Sequence, residues 1–262
     1  MPSRISSRQN AIVKRFRDVA RGAHPDLMLL DGEHLLSEAI RSGIRVETVA
    51  FGGRVDGTDL VGTAERAGAE IFDVTDQVLA ALSPVRAPSG VVAIAARRAV
   101  SLEDVFAQSP ALVVMLSGVQ DPGNVGATIR AAEGCGATGV VCSDATADPF
   151  GWKALRGAMG STFRLPVAAK QPIEGAIATA RARRLRVFAT TARDGTPLPD
   201  CDLRRPAAVL FGSEGLGLPE HLITAADTRM TIPMHAPVES LNVAVAAALV
   251  VYEAARQRRA HR

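Results

Sequence analysis

The sequence predicts an α/β protein: a C-terminal, mostly parallel sheet with helices on both faces, preceded by a smaller N-terminal α/β domain. Three observations carry that expectation. Short apolar runs alternate with helical stretches along the whole chain. Glycine- and proline-rich turns close almost every element. The alternation also breaks at Arg97-Arg98 and 101–110 before restarting with better definition. That break divides the chain into an N-terminal domain at 1–98, a linker at 99–110 and a C-terminal domain at 111–262.

Taken in order, a first helix is expected over about 8–20, capped by Ser6-Ser7. Ile12, Phe16, Val19 and Ala20 form its apolar face, and Lys14, Arg17 and Arg21 run along another. That basic line is either an ordinary solvated face or a phosphate-facing stripe. A strand at 27–30, a helix at 33–42 stopped by Gly43 and a strand at 46–51 follow. A helix at 60–67 stopped by Gly68, a strand at 70–74, a helical turn at 76–82 and a strand at 90–96 complete the smaller domain.

The second half opens with a buried strand at 111–116, a tight turn at 120–124 and a helix at 125–133 closed by Gly134 and Gly136. Next come a strand at 137–142, a helix at 153–160, a short edge strand at 163–166, a helix at 173–184 and a strand at 187–191. An apolar run at 207–211 then ends in Gly212-Ser213-Glu214-Gly215-Leu216-Gly217, too glycine-rich to continue as strand or helix. A second apolar piece at 230–234 breaks at Pro233. Ser240-Leu241-Asn242 precedes a long helix at 243–257 that is apolar nearly all round over 243–251 and is therefore expected to be buried. Two broken strand ends and a helix start can gather many backbone donors and acceptors around one small molecule.

Composition narrows the classes. With 262 residues and 47% hydrophobic content the chain folds around a substantial core. No apolar h-region follows the opening residues, and the most apolar late run is too short for a membrane span. Cys135, Cys142 and Cys201 are odd in number and lack CxxC spacing, which argues against a disulfide framework or a zinc site. His24, His34, His221, His235 and His261 show no metal-ligand spacing, so no metal is expected. A reducing cytoplasmic setting without membrane contact follows.

Net charge is only +3, but Arg4, Arg8, Lys14, Arg15, Arg17 and Arg21 crowd the start, and Arg256, Arg258, Arg259 and Arg262 crowd the end. Basic ends on a near-neutral body suit a polyanion partner. The preference for arginine over the three lysines is equally what a biased genome composition produces.

Neither GxGxxG after the first strand nor GxxxxGK[ST] occurs, so a dinucleotide oxidoreductase or a P-loop ATPase is poorly supported. No GxSxG marks a serine hydrolase. What remains is an ordered constellation. Asp121-Pro122-Gly123-Asn124-Val125-Gly126-Ala127-Thr128-Ile129-Arg130 resembles the first signature of the SpoU (TrmH) RNA ribose methyltransferases of the SPOUT superfamily. Phe211-Gly212-Ser213-Glu214-Gly215-Leu216-Gly217-Leu218-Pro219 resembles the second. Ile232-Pro233-Met234 with Glu239-Ser240-Leu241-Asn242-Val243-Ala244 resembles the third, and Arg156-Gly157-Ala158-Met159-Gly160-Ser161 fits between the first and second. Together they cover about 150 residues in the family's order. The N-terminal third, with Asp31-Gly32-Glu33-His34 and Pro88-Ser89-Gly90, is similar to the substrate-binding domain of the rRNA-modifying branch. Departures are Asp31 for a common Glu, Ser213 for a common Asn, and Ala244 for a frequent Ser.

The resemblance implies a deep trefoil knot in the C-terminal domain and a homodimer through it, with each site completed by the partner. It also implies S-adenosyl-L-methionine bound by Gly212, Ser213, Gly215, Ile232, Met234 and Leu241. It assigns the chemistry to Arg130, Asn124, Glu214, Ser240 and Asn242. Arginine side chains stay protonated, so Arg130 is expected to stabilise a forming alkoxide or bind the adjacent phosphate, with Asn124 orienting it and Glu214 supporting it. Capping is the alternative role for Glu214, Ser240 and Asn242. Lys14, Arg15, Arg17 and Arg156 are the expected RNA contacts. The implied activity is methyl transfer to a ribose 2′-hydroxyl in structured RNA, with ribosomal RNA the expected substrate. The alternatives are a tRNA ribose methyltransferase and a non-catalytic RNA-binding module on the same fold.

Overall fold

The computed structural model describes residues 4–53, 59–85 and 88–260. His261 and Arg262 lie outside them. The chain packs as two units, Met1–Arg98 with Phe150–Arg164, and Ala99–Pro149 with Leu165–Arg262. The first unit therefore takes in a segment, 150–164, from within the second half of the sequence, while 99–110 packs in the second unit.

In the first unit, α1 (Ala11–Ala20) starts where the Asn10 side chain accepts the Ile12 N–H at 3.0 Å. Asn10, not Ser6-Ser7, is its cap, and the helix begins at residue 11 and not 8. There follow β1 (Leu27–Asp31), α2 (Glu33–Arg41), β2 (Val46–Phe51), α3 (Leu60–Arg66), β3 (Glu70–Asp73), α4 (Asp76–Leu82) and β4 (Val91–Ala96). The sheet order is β1-β4-β2-β3, with β4 antiparallel to both its neighbours and β2 parallel to β3. Ile12, Val13, Phe16 and Val19 of α1 pack with Val78, Leu79 and Leu82 of α4 onto Leu29, Val92 and Ile94 of the sheet.

The second unit opens with α5 (Leu102–Val105), started by a capping box between Ser101 and Asp104. Next come β5 (Leu112–Leu116), α6 (Pro122–Gly134) and β6 (Gly139–Cys142). Two helices of the first unit intervene, α7 (Trp152–Ala158) and α8 (Ser161–Arg164). The expected edge strand at 163–166 is thus half helix: Gly160, at φ 90°, starts a fresh turn, and the strand is delayed to β7 (Val167–Ala168). The rest are α9 (Ile173–Ala182), β8 (Arg186–Thr190), β9 (Thr196–Pro197), β10 (Ala207–Phe211), α10 (Glu220–Thr224), β11 (Thr228–Thr231) and α11 (Val243–Arg259).

Among the described residues these strands form a seven-stranded sheet in the order β7-β6-β5-β10-β8-β11-β9. Every pairing is parallel. β5, β6 and β10 are buried at every residue, as strands covered on both faces must be. Ile173, Ala176, Ile177 and Ala180 of α9 cover Val113, Met115, Ala208 and Leu210 on one face.

Two expectations fail here. The helix after the 120–124 turn begins at Pro122, because Asp121 caps it by accepting the Asn124 N–H at 2.8 Å and proline suits the first helical position. Asn124 therefore lies inside the first turn, and Arg130 is more than two turns in. α11 is not buried all round: Val245, Leu249 and Tyr252, at i, i+4 and i+7, are 49%, 41% and 60% exposed. Its opposite side, with Ala247, Val250, Val251 and Ala254, is the buried one.

Candidate active site

The carboxyl ends of the central parallel strands are where ligand crevices form in open α/β sheets, and the largest structural irregularities gather there. β10 ends at Phe211, and the chain then makes a closed loop. Ser213 and Gly217 exchange N–H···O bonds of 3.1 and 3.0 Å. The loop is so tight that a Cβ on Gly212 would sit 2.1 Å from the Gly217 carbonyl carbon and 2.3 Å from the Leu218 nitrogen. Only glycine fits. Beside it, β11 ends at Thr231 and continues as irregular chain through Ile232 and Met234 to Leu241.

These segments enclose a cleft of about 350 Å³, within the roughly 300–1,000 Å³ usual for small-molecule sites. Gly212, Ser213, Gly215, Ile232, Met234 and Leu241 all line it, as do Glu214 and Ser240. Thr190, Thr191 and Ala192 at the end of β8 line it too, and the sequence offered no clue to them beyond two polar residues closing an apolar strand. Their hydroxyls serve the scaffold: Thr190 donates to the Leu210 carbonyl at 2.8 Å and Thr191 to that of Met230 at 3.4 Å.

Three separate stretches of sequence meet at Asn124. Its amide nitrogen donates to Glu214 Oε1 at 3.0 Å, and its amide oxygen accepts from the Asn242 side chain at 2.9 Å. Asn242 in turn caps α11, accepting the N–H groups of Ala244 and Val245 at 2.9 and 3.3 Å. Glu214 also accepts the backbone N–H groups of Gln120 and Asp121 at 3.2 and 3.3 Å. A carboxylate at the start of α6 suits the positive end of that helix. Burial works to raise the Glu214 carboxyl, but the bonds from Asn124, its own backbone, Gln120 and Asp121 outweigh it and hold it below the usual carboxylate range.

This geometry corrects two expected roles. Neither Asn124 nor Glu214 bonds to Arg130; each is committed to the other and to the loop around it. Arg130 lies six positions after Asn124, a rise of about 9 Å with a rotation that places them on different faces of α6. Arg130 instead shares an exposed side with Gly123 and Ala127, with no protein partner among the described residues. Ser240 is exposed at the cleft and does not cap α11, which Asn242 alone does.

The expected RNA contacts divide as well. Arg15 is held by Glu47 at 2.8 Å and Thr48 at 3.2 Å, and Arg17 donates to the Ala81 carbonyl at 3.0 Å. Both are therefore partly engaged within the first unit. Lys14 is exposed with no partner among the described residues, and Arg156 is exposed with its charge acting on Asp31. Of the basic tail, Arg256 pairs with Glu253 and Arg258 donates to four backbone carbonyls, so those two charges are structural.

Among the described residues no group of His, Cys, Asp or Glu is arranged to hold a metal ion, and no helix is long and apolar enough to cross a membrane. The three cysteines are free, and burial pushes the Cys142 thiol up to about 12.

Known proteins resemble this chain in sequence and fold. Residues 111–252 match the SpoU rRNA Methylase family, and residues 2–108 match the N terminus of thiostrepton-resistance methylases. The chain is 30% identical over 252 residues to the 23S rRNA (guanosine(2553)-2'-O)-methyltransferase RlmP of Bacillus subtilis, covering 95% of this chain and 97% of that one. An AdoMet-bound rRNA methyltransferase from Sinorhizobium meliloti superposes with a TM-score of 0.87 at 29% identity, covering 97% of each chain. The SpoU methyltransferase AviRb from Streptomyces viridochromogenes, solved with the cofactor AdoMet, gives a TM-score of 0.88 at 27% identity, covering 97% of this chain and all of that one.

Proposed function

The chain belongs to the SpoU rRNA methylase family, and from that premise we propose that it transfers the methyl group of S-adenosylmethionine to a ribose 2′-hydroxyl in ribosomal RNA. One observation carries the reading: the three family signatures, far apart in sequence, converge through Glu214, Asn124 and Asn242 beside one cleft. The cleft also fits the cofactor class. The bare backbone at Gly212 lets the loop at 212–217 close against itself, while Ile232, Met234 and Leu241 offer an apolar slot.

When bound, S-adenosylmethionine supplies a methyl group on a positive sulfonium, open to displacement by an oxygen nucleophile. The chain's task is to hold, orient and dry that pair. Charge on sulfonium and developing alkoxide cancels as they react, so the apolar walls at Ile232, Met234 and Leu241 favour the step by excluding water. Asn124 and Asn242 position the loop and the α11 start around the cleft. Glu214 clamps the 212–217 loop to the start of α6. The 2′-hydroxyl would release its proton to solvent as the C–O bond forms and the C–S bond breaks, while Arg130, which stays protonated, stabilises the negative charge growing on the oxygen or grips the phosphate next to it.

Three further parts belong to the same proposal. Homodimerisation is supported by α6 and α11, which pack together and leave Gly123, Ala127 and Arg130 on one and Val245, Leu249 and Tyr252 on the other uncovered. Arg130 on that side suits a site completed by the partner. The knotted path of the C-terminal domain is inferred from family membership. Residues 1–98 and the 150–164 segment that packs with them are proposed to contact the RNA, with Lys14 and Arg156 the better candidates and Arg15 and Arg17 secondary, in the cytoplasm.

The test is to incubate the purified protein with S-adenosylmethionine and unmodified ribosomal RNA and to map ribose 2′-O-methylation. A new methylated ribose at one site is expected. Methylation confined to bases, or none while the cofactor binds, would overturn the reading.

A further inference from the structure

The first unit contains a cavity of about 430 Å³ that the methyl-transfer reading does not use. One wall is the junction of β1 and α2. Asp31 ends the strand, Gly32 turns the chain at φ 103°, and Glu33 opens the helix. A Cβ on Gly32 would lie 2.8 Å from the Ser89 hydroxyl, so a bare backbone keeps the floor open. α2 has no side-chain cap, and its first N–H groups are left for solvent or a ligand.

The other wall is the end of α7, where Arg156 and Met159 face the same cavity. It is fixed firmly to α2. Gly160 sits so close that a Cβ there would be 2.9 Å from the Glu38 side chain, and Glu38 forms an ion pair with Arg164. His34 approaches the Met159 carbonyl at 3.4 Å.

The lining is mixed in sign. Asp31 is half-buried; its Oδ2 accepts from the Ser83 hydroxyl, and its Oδ1 has no partner among the described residues. Burial raises the Asp31 carboxyl, against the pull of the Ser83 bond and the Arg156 charge. A phosphate is a poor occupant, since it would face both Asp31 and Glu33. An apolar ligand would strand those carboxylates unpaired. A nucleobase edge offers donors and acceptors side by side. Among the four bases only guanine presents two adjacent donors, N1–H and N2–H, to one carboxylate, with the O6 acceptor beside them.

We propose that this cavity takes the Watson–Crick edge of one unstacked guanine in the RNA substrate, Asp31 accepting from N1–H and N2–H and Arg156 donating to O6. The assignment rests on the RNA-methylating function proposed above and adds to it a base-reading site in the first unit. Unpaired, splayed-out bases are what sequence-specific RNA recognition targets.

The test uses the full-length protein and fluorescein-labelled nonamer RNAs, four uridines on either side of a central guanosine, inosine or adenosine, read by fluorescence anisotropy. Inosine lacks the N2 amine, and adenosine lacks the N1–H as well. The guanosine RNA is expected to bind about 10-fold tighter than either, a difference typical of one bidentate base contact. Asp31→Asn should bring the guanosine, inosine and adenosine RNAs to one common affinity, and Arg156→Met should reduce the guanosine preference. Circular dichroism checks that both variants fold. Equal affinities for the three RNAs overturn the proposal. So does a guanosine preference that survives in Asp31→Asn, which would mean that this carboxylate does not read the base. Ribose methylation of ribosomal RNA by the same preparation separates the two claims. Turnover without guanine preference sinks this site alone, and preference without turnover sinks the methyl-transfer reading alone.

Discussion

Asn124→Asp is the sharpest perturbation of the hydrogen-bonded hub, because it changes one link and spares the other. The replacement keeps an oxygen to accept from Asn242 but puts a second carboxylate where an N–H met Glu214 at 3.0 Å. Glu214 is exposed, so the conservative dielectric is that of water. At that separation two unit charges repel by about 1.4 kcal/mol, a factor of about 10 in an equilibrium. The loop at 212–217, one wall of the cleft, should let go of α6 by that factor. Calorimetry should therefore find S-adenosylmethionine bound about 10-fold more weakly by the variant at about pH 8.

The pH dependence has a definite sign. In the natural protein the Glu214 carboxyl is held below its ordinary range, so its contribution is present at neutral pH and lost only as pH falls through that depressed value. In the variant the paired carboxylates raise each other, and protonating one restores an O–H···O bond. Affinity should recover as the pH falls from about 8 into the acid side of the carboxylate range, while Asn124→Ala, lacking both links, should not recover. A variant with natural affinity at every pH, or a loss that acid does not mend, would remove the hub from cofactor binding.

Other substitutions probe the remaining parts. Arg130→Ala should keep cofactor affinity and lose turnover, measured by calorimetry and methyl incorporation; natural turnover would exclude Arg130 from the mechanism. Gly212→Ala should abolish cofactor binding, since its methyl would collide with the Gly217 backbone at 2.1 Å; retained calorimetric binding would contradict the loop geometry. Leu249→Arg on the exposed side of α11 should convert a dimer to a monomer in light scattering, and an unchanged mass would place the interface elsewhere. Arg258→Ala removes bonds to the carbonyls of Leu203 and Ala111, both 2.9 Å and half-buried, and to the exposed carbonyls of Pro110 and Arg205. At about 1.5 kcal/mol for each half-buried bond it should cost about 3 kcal/mol in urea unfolding, whereas Arg259→Ala should cost almost nothing.

The cleft was largely legible in the sequence because its walls are made by backbone irregularity. Gly212, Gly215 and Pro233 announce where strands must stop, and the six residues assigned to the cofactor all line the cavity. Thr190 and Thr191 escaped notice because a hydroxyl ending a strand looks the same whether it bonds a neighbouring carbonyl or faces a ligand. Helix starts were less legible. Asp121-Pro122 is a cap followed by a first-position proline, a strong start signal, yet the glycine after it suggested a turn. That error left Asn124 outside the helix that carries Arg130.

Membership of the two packing units was the part least available from one dimension. Nothing in the spacing of 150–164 says that it leaves the second unit to pack with the first, because that depends on Trp152 joining the α1–α4 core and on Gly160 meeting Glu38. The apolar α11 shows the same limit from the other side. Val245, Leu249 and Tyr252 alternate with Ala247, Val250, Val251 and Ala254 so that both helix faces are apolar, and periodicity predicts burial of both. One face is buried within the chain and the other is exposed. A second apolar face on a helix that already packs on α6 is costly to leave in water, and a symmetric partner offering the same helix would cover it on both copies at once. The exposed face of α6, small at Gly123 and Ala127 and charged at Arg130, has the shape such an arrangement needs: close approach of the backbones with one long side chain left to reach across.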